Sequence, residues 1–130
     1  MKVLIIGGGT MGRHIAMNLP EHEITVIEMN ENKAHRIESE LKVKVIKGDA
    51  SKLYVLKKAE YDKSDAIIAV TSNDEVNLFL ALLAKKRGKE AVARVKEPEY
   101  IPLFKELGIE NIISPEQRAA MDIAKKLTWS

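Results

Sequence analysis

Three glycines near the start of the chain, Gly7, Gly9 and Gly12, have the spacing G-x-G-x-x-G and follow directly on the apolar run 3–6. A strand that ends in this spacing and leads into a helix predicts a turn that holds a pyrophosphate. The glycines permit the sharp turn, leave room for the phosphates and let the helix approach the strand, while the helix N-terminus faces the phosphates. The residues predicted to contact the pyrophosphate are Gly7, Gly8, Gly9, Thr10, Met11 and Gly12.

An acidic residue stands where this motif requires one. The second apolar run, residues 24–27, ends in Glu28, about twenty residues after the glycine turn. A carboxylate here accepts hydrogen bonds from a ribose 2′-hydroxyl and repels a 2′-phosphate, so NAD(H) or another unphosphorylated adenosine ribose is favoured over NADP(H). The alternative, a glycine-rich turn without a ligand, is disfavoured because the strand, the helix and the acid are all present.

Composition is that of an ordinary globular domain. With 130 residues, 45% hydrophobic and 31% charged, the chain is expected to form one domain, residues 1–130, with its own core. Its 21 basic and 19 acidic residues are well mixed, which argues against a nucleic-acid partner. The absence of cysteine excludes disulfides and thiolate metal sites and fits an intracellular protein. No apolar run approaches the ~20 residues that cross a bilayer, so direct membrane insertion is not expected.

Short apolar runs alternate with amphipathic segments along the whole chain, a pattern typical of a parallel sheet with helices on both faces. We therefore predict an α/β, doubly wound, six-stranded parallel sheet of the Rossmann type, with strand order 3-2-1-4-5-6 and a cleft between strands 1 and 4. Asn30 is expected to cap the second helix, and Asp49 or Ser51 the third. The predicted strands are 3–6, 24–27, 43–46, 66–70, 91–95 and 110–113. The first predicted helix follows the glycine turn, the second covers residues 31–40, and the third follows residue 51. The fourth covers 74–87, the fifth lies within 98–107, and the last runs from 115 to 129.

Ligands of such sheets bind at the carboxyl ends of the strands, so the residues that follow each strand form the candidate site. Asp49 and Ala50 are placed to meet an adenine, and the polar groups after the fourth strand can reach phosphate or a second ribose. The candidates beyond the glycine turn are Glu28, Asn30, Lys33, Asp49, Ala50, Thr71, Ser72, Asn73 and Arg94.

Two arginines have alternative interpretations. Arg94, in the fifth strand, is either a partner for phosphate charge or a member of a surface ion pair, and the sequence favours neither. Arg13, in the first turn of the first helix, could clamp a phosphate through two hydrogen bonds, but a solvated arginine is slightly favoured.

No catalytic group and no metal site is predicted. Tyr54 and Lys58 have the Tyr-x-x-x-Lys spacing of short-chain dehydrogenases, but they follow the third strand, on the adenine side, away from the expected nicotinamide. The three histidines form no plausible triad with a serine or a carboxylate. An NAD-dependent oxidoreductase is therefore the rival interpretation, and a binding module is the leading one.

Longer motifs accompany the glycine fingerprint, and residues 71–77 and 114–116 are the most specific of them. With these motifs the chain resembles, from end to end, the N-terminal nucleotide-binding domain of Trk/Ktr-type potassium-uptake regulators, also called the RCK, KTN or TrkA-N domain. The matching motifs after the acid at Glu28 are residues 48–50, 69–77, 93–95, 107–110 and 112–116.

The resemblance implies a cytoplasmic regulatory subunit, peripheral to the inner face of the membrane, that is not an enzyme and binds a membrane K⁺ transporter. Such domains form dimers or larger homo-oligomers, and NAD(H), or alternatively ATP or ADP in an RCK domain of a K⁺ channel, gates the membrane partner. In members that bind ATP, the glutamate matching Glu116 lies near a divalent cation. Family members commonly continue into a small C-terminal domain, whereas this chain ends at Ser130, and their acid at position 28 is often aspartate.

Overall fold

The computed structural model describes residues 1–128, so the prediction that the last helix reaches Trp129 falls outside the described residues. The strands are β1 (Lys2–Ile6), β2 (Glu23–Glu28), β3 (Lys44–Lys47), β4 (Ala66–Ala69), β5 (Glu90–Arg94) and β6 (Ile112–Ile113). The helices are α1 (Thr10–Met17), α2 (Glu31–Glu40), α3 (Leu53–Lys58), α4 (Asp74–Lys86), α5 (Ile101–Glu106) and α6 (Pro115–Thr128). Short 3₁₀ turns cover Tyr61–Lys63 and Pro98–Tyr100.

The six strands form one parallel sheet in the order β3-β2-β1-β4-β5-β6, which confirms the predicted fold class and strand order. Side chains alternate across β1: Leu4 and Ile6 belong to one buried cluster, and Val3 and Ile5 belong to the cluster on the other face. A strand covered by apolar side chains on both faces is typical of the centre of a doubly wound sheet. The order of strands places the topological switch between β1 and β4.

Most apolar side chains of the long helix α4 pack against other parts of the same domain. Leu80 and Ala84 pack in the cluster under β1 and β4, while Ala81 packs with Phe104 of α5 in a third cluster. Phe79 is the exception, since 47% of it remains exposed. Contact with these two clusters largely explains the high apolar content of α4.

Of the two predicted helix caps, the structure confirms one and corrects the other. Asn30 caps α2 as predicted, accepting a bond of 3.0 Å from the N–H of Lys33. The predicted cap of α3 is wrong, because α3 begins after Lys52 and has no side-chain cap. Asp49 instead accepts hydrogen bonds from the N–H and the hydroxyl of Ser51, at 2.9 and 2.7 Å. A local Asx turn therefore competes with the cap for the same carboxylate.

The last strand and the last helix pack less closely than the others. β6 is two residues long, shorter than the predicted 110–113, and pairs only with β5 within residues 1–128. No residue of α6 is buried, and Met121 and Ile123 are more than half exposed. Within the described chain, no helix has the length and apolar character needed to cross a membrane.

The glycine turn brings α1 against β1. Gly7 has φ +111°, a conformation that L side chains rarely adopt. A Cβ at Gly12 would overlap the carbonyl oxygen of Gly7, so only glycine allows the helix to lie this close. At Gly9, by contrast, the nearest atom that an added Cβ would meet is the Nζ of Lys33, at 4.0 Å.

We expect Gly12→Ala to lower the free energy of unfolding by about 2 kcal/mol or more, because backbone must move to relieve the overlap. The matched variant Gly9→Ala should lower it by no more than about 1 kcal/mol, the cost of a poorer N-cap. Urea denaturation of both proteins measures the difference. Equal destabilisation would contradict the packing role of Gly12.

Candidate nucleotide-binding site

A cleft of about 1240 Å³ opens at the carboxyl edge of the sheet, over the switch between β1 and β4. Every predicted site residue except Gly8 lines it, although those residues come from five separate parts of the chain. The lining residues among the candidates are Gly7, Gly9, Thr10, Met11, Gly12, Glu28, Asn30, Lys33, Asp49, Ala50, Thr71, Ser72, Asn73 and Arg94.

The floor of the cleft is rich in hydrogen-bond donors. Gly9 is the N-cap residue of α1 and provides no side-chain cap. The first bond within the helix runs from the N–H of Arg13 to the carbonyl of Gly9, so the preceding N–H groups face outward. The ammonium group of Lys33 approaches the same turn from α2. Outward N–H groups, a helix dipole and a lysine are a donor set that fits a diphosphate.

Glu28 is fixed by the backbone on both of its carboxylate oxygens. Its Oε1 accepts a 2.6 Å hydrogen bond from the N–H of Gly8, and its Oε2 accepts one of 2.6 Å from the N–H of Asn30. Gly8 therefore lies behind the carboxylate, outside the cleft lining, and supports Glu28. Because each carboxylate oxygen accepts more than one bond, Glu28 retains the capacity to bind ribose hydroxyls.

The side of the cleft near β3 combines an anion with an apolar surface. The hydroxyl and then the N–H of Ser51 hold the pKa of Asp49 below its usual value, so the carboxylate is ionised at neutral pH. Ala50 is buried beside it, and Met29 lines the cleft after β2. The predicted adenine position thus has an apolar wall and a charged edge.

A buried amide holds the opposite wall in place. Asn77 of α4 is fully buried and bonds to the N–H, hydroxyl and carbonyl of Thr71, at 3.0, 2.7 and 3.0 Å. It also donates a bond of 2.9 Å to the carbonyl of Arg94 at the end of β5. The sequence analysis assigned no role to Asn77. A signal was present, since an asparagine occupies one position of the apolar stripe that continues through Leu80, Ala81 and Ala84.

Arg94 lines the cleft and at the same time pairs with Glu116, in the first turn of α6. Partial burial opposes ionisation of Glu116, but the hydrogen bond from Arg94 and the charges of Arg94 and Lys96 hold its pKa below the usual value. The two interpretations of Arg94 are therefore compatible. Arg13 pairs with Glu40 of α2 at 3.2 Å and does not line the cleft. Its side chain is only 16% exposed, so the prediction of a solvated arginine is wrong and Arg13 instead joins α1 to α2.

Of the residues considered for catalysis, Tyr54 and Lys58 lie outside the cleft lining, whereas His14 belongs to it. Tyr54 is 73% exposed on α3 and is not part of the cleft lining. Among residues 1–128, no three or more His, Asp or Glu side chains are grouped to hold a metal ion. The sequence analysis placed neither His14 nor Glu116 in the cleft, although both line it. For His14 a signal was available in the sequence, because it lies one helical turn after Thr10 and therefore on the same side of the helix.

The comparisons with known proteins agree with one another. The model of a family described as the TrkA-N domain matches residues 3–115. The chain is 41% identical to a Trk system potassium uptake protein TrkA homolog of Archaeoglobus fulgidus, with 96% of this chain and 30% of that protein covered. It is 35% identical to a homolog of the same name from Methanothermobacter thermautotrophicus, with 98% of this chain and 61% of that protein covered. The chain therefore spans less than two thirds of the length of these relatives.

Solved structures share the fold. The TrkA-N domain of the inner membrane protein YbaL from Escherichia coli has a TM-score of 0.83 at 18% identity, with 97% of this chain and 96% of that chain covered. GsuK bound to ADP has a TM-score of 0.83 at 24% identity, with 98% of this chain and 34% of that chain covered. The GsuK channel bound to NAD has a TM-score of 0.69 at 25% identity, with 86% of this chain and 21% of that chain covered.

We expect Asn77→Ala to lower the free energy of unfolding by about 3 kcal/mol, because four hydrogen bonds are lost and buried backbone groups lose their partner. Asn73→Ala is the matched control and should cost about 1 kcal/mol, since Asn73 caps α4 through a single bond to the N–H of Val76. Chemical denaturation compares the two variants. If Asn77→Ala lowers the free energy of unfolding no more than Asn73→Ala does, Asn77 does not hold the loop after β4 against the end of β5.

Proposed function

The chain belongs to the TrkA-N domain family, and from this premise we propose that it is the NAD(H)-binding regulatory domain of a Trk-type potassium uptake system. The observation that carries the proposal is the cleft at the switch point, where the donor-rich turn of Gly9 and the fixed carboxylate of Glu28 lie side by side. Together they provide contacts for a diphosphate and for the adjoining unphosphorylated ribose.

The extent of the cleft supports a dinucleotide. Small-ligand pockets commonly occupy about 300–1,000 Å³, and this cleft, at about 1240 Å³, continues past β4 to β5. Thr71, Ser72 and Asn73 line that second half with hydroxyl and amide groups suited to a second ribose. ATP or ADP is the alternative ligand, favoured by the position of Arg94 at the far end. Neighbouring structures are described as bound to NAD and to ADP, which accords with both choices.

Regulation would follow from a difference in affinity between two arrangements of the domain. A nucleotide that binds one arrangement more tightly shifts the population toward it, and no reaction of the nucleotide is required. The partner would be a membrane K⁺ transporter subunit, with the domain held at the cytoplasmic face of the membrane through that partner. A homo-dimer or larger homo-oligomer of this domain would transmit the shift. The names of the relatives, which are potassium uptake proteins, support this assignment.

The rival function is an NAD-dependent oxidoreductase, as considered from the sequence. It requires a proton-transfer group near the second half of the nucleotide, and Tyr54 and Lys58 lie on α3, on the adenine side. Steady oxidation of NADH by the purified protein with small carbonyl compounds would favour the rival. Binding without turnover is the expected result.

NADH at a hundredfold excess over its Kd should stabilise the protein by about 2.7 kcal/mol, measured by thermal or chemical unfolding. Gly9→Val should retain the fold, because the space at Gly9 is open, and should lose this stabilisation, because the side chain fills the diphosphate position. A Gly9→Val protein stabilised as much as the parent would place the ligand elsewhere.

Glu28→Ala should weaken NADH binding roughly 10- to 100-fold, the effect of losing hydrogen bonds to a charged acceptor. Glu31→Ala is the matched control, since Glu31 is exposed on α2 and pairs with Lys47 across the surface. Titration calorimetry with NADH should show little change for the control. Equal affinity of both variants for NADH would remove Glu28 from the site.

A further inference from the structure

One continuous segment of the domain carries an excess of positive charge. Residues 42–63, which run from just before β3 through α3 to the following 3₁₀ turn, contain seven lysines and three acidic residues, a net charge of +4. The whole chain has a net charge of +2, so the remaining residues together carry a net charge of −2. The near balance of charge over the whole chain therefore conceals a basic side of the molecule.

The helix in this segment, α3, exposes a face that combines apolar and basic side chains. Val55 and Leu56 are buried in the apolar cluster, so the helix is held to the domain by its opposite side. Leu53 and Tyr54 are 54% and 73% exposed. Residues three or four positions apart lie on one side of a helix, which places two lysines beside them one turn later. We call this exposed set the α3 surface, and its members are Lys52, Leu53, Tyr54, Lys57 and Lys58.

The positive charge of the α3 surface is not neutralised by neighbouring acids. Neither Lys57 nor Lys58 forms an ion pair with any side chain that the structure describes. The acid that follows the helix, Glu60, is already paired with Lys44 and Lys63, at 3.8 and 2.9 Å. The two lysines at the end of α3 therefore present their charge to solvent and are available to an anionic partner.

The α3 surface lies next to the nucleotide cleft but outside it. Ser51 lines the cleft, whereas none of the five residues that form the α3 surface does. Lys52 is the member that follows directly in the chain, and it acts electrostatically on Asp49. A partner on the α3 surface and a ligand in the cleft would therefore contact different side chains.

Lysines around an exposed tyrosine and an exposed leucine fit the headgroup region of a membrane. Anionic phospholipids attract clustered lysines, and tyrosine is enriched at the level of the headgroups. The apolar stem of a lysine can also lie along an apolar contact while its ammonium group reaches a phosphate. A cytoplasmic loop of a membrane transporter complements this surface poorly, because such loops themselves carry an excess of Lys and Arg. The charge of the α3 surface therefore favours lipid over those loops.

We propose that the α3 surface docks directly onto anionic phospholipids, with Leu53 and Tyr54 at the level of the headgroups and the lysines against the lipid phosphates. The contact is peripheral, because α3 is six residues long and no helix of the described chain can span a membrane. A small apolar area combined with a basic cluster gives a reversible attachment. This contact adds to the attachment through a K⁺ transporter subunit that the proposed function includes, and it requires no bound nucleotide.

The test is sedimentation of the purified protein with vesicles of phosphatidylcholine alone and with vesicles in which about one third of the lipid is phosphatidylglycerol. The protein should bind the anionic vesicles and not the neutral ones, and its binding should weaken as the salt concentration rises. Lys57→Gln combined with Lys58→Gln should weaken binding roughly 10- to 30-fold, because each lysine near an anionic surface contributes about fivefold. Lys125→Gln combined with Lys126→Gln, at the exposed end of α6, is the matched control and should change binding by less than about twofold.

A second variant tests the apolar part of the α3 surface. Leu53→Ser combined with Tyr54→Ser should weaken binding to the anionic vesicles roughly 5- to 20-fold, since less apolar area leaves water. The salt dependence of the remaining binding should stay as in the parent protein, because no charge is removed. Both side chains are largely exposed, so the free energy of unfolding and the stabilisation by NADH should match the parent and verify that the variant is folded.

The outcomes separate this inference from the proposed function. Equal binding to neutral and anionic vesicles, or binding to neither, overturns the lipid contact and leaves the nucleotide site untouched. A loss of binding in the α6 control as large as that in the α3 lysine variant also overturns it, since the contact would then lie elsewhere. Tighter binding to a single-stranded oligonucleotide than to the anionic vesicles would assign the surface to nucleic acid instead. If the anionic vesicles bind as expected but NADH does not bind, the proposed function fails and the lipid contact stands.

Discussion

The close approach of α1 to the carbonyl of Gly7 is the constraint on which the rest of the structure depends. It requires glycine at position 12, and it places the first turn of α1 directly over the switch between β1 and β4. The position of the helix N-terminus determines where negative charge is stabilised. A wider turn would move these donors away from the carboxylate at the end of β2, and the two halves of the site would no longer serve one ligand.

Several polar side chains at the carboxyl edge bind the protein backbone and thereby shape the site. Glu28 holds the glycine turn and the start of α2. Asn77 holds the loop after β4 against the end of β5. Asp74 accepts bonds of 2.7 and 3.0 Å from the N–H groups of Lys96 and Glu97, which fixes the loop after β5. Loops held by such bonds would lose less conformational entropy if a ligand bound there.

The two ends of the cleft differ in what they are attached to. The end near β2 and β3 consists of strands and of Asn30-capped α2, which are well packed and suited to hold one part of a ligand. The other end includes the start of α6, a helix without buried side chains. A ligand that spanned both ends would contact the well-packed half and the start of this exposed helix.

The sequence by itself determined the fold, the order of the strands and the edge of the sheet where the candidate site lies. These follow from local patterns, since apolar periodicity defines the elements and a parallel sheet collects the carboxyl ends of its strands at one edge. Gly7, Gly9 and Gly12 were sufficient to locate the turn.

Only the tertiary structure decided which partner each polar side chain takes. Asp49 bonds to Ser51 rather than capping α3, Glu28 turns both oxygens to the backbone, and Asn77 joins two loops. Arg94 meets Glu116 across β5 and α6, although 22 positions separate them in the chain. Sequence spacing does not contain these distances, because they depend on how strands and helices far apart in the chain are brought together. A displacement of a fraction of an ångström between donor and acceptor weakens or breaks a hydrogen bond, whereas the packing of apolar side chains tolerates such a displacement.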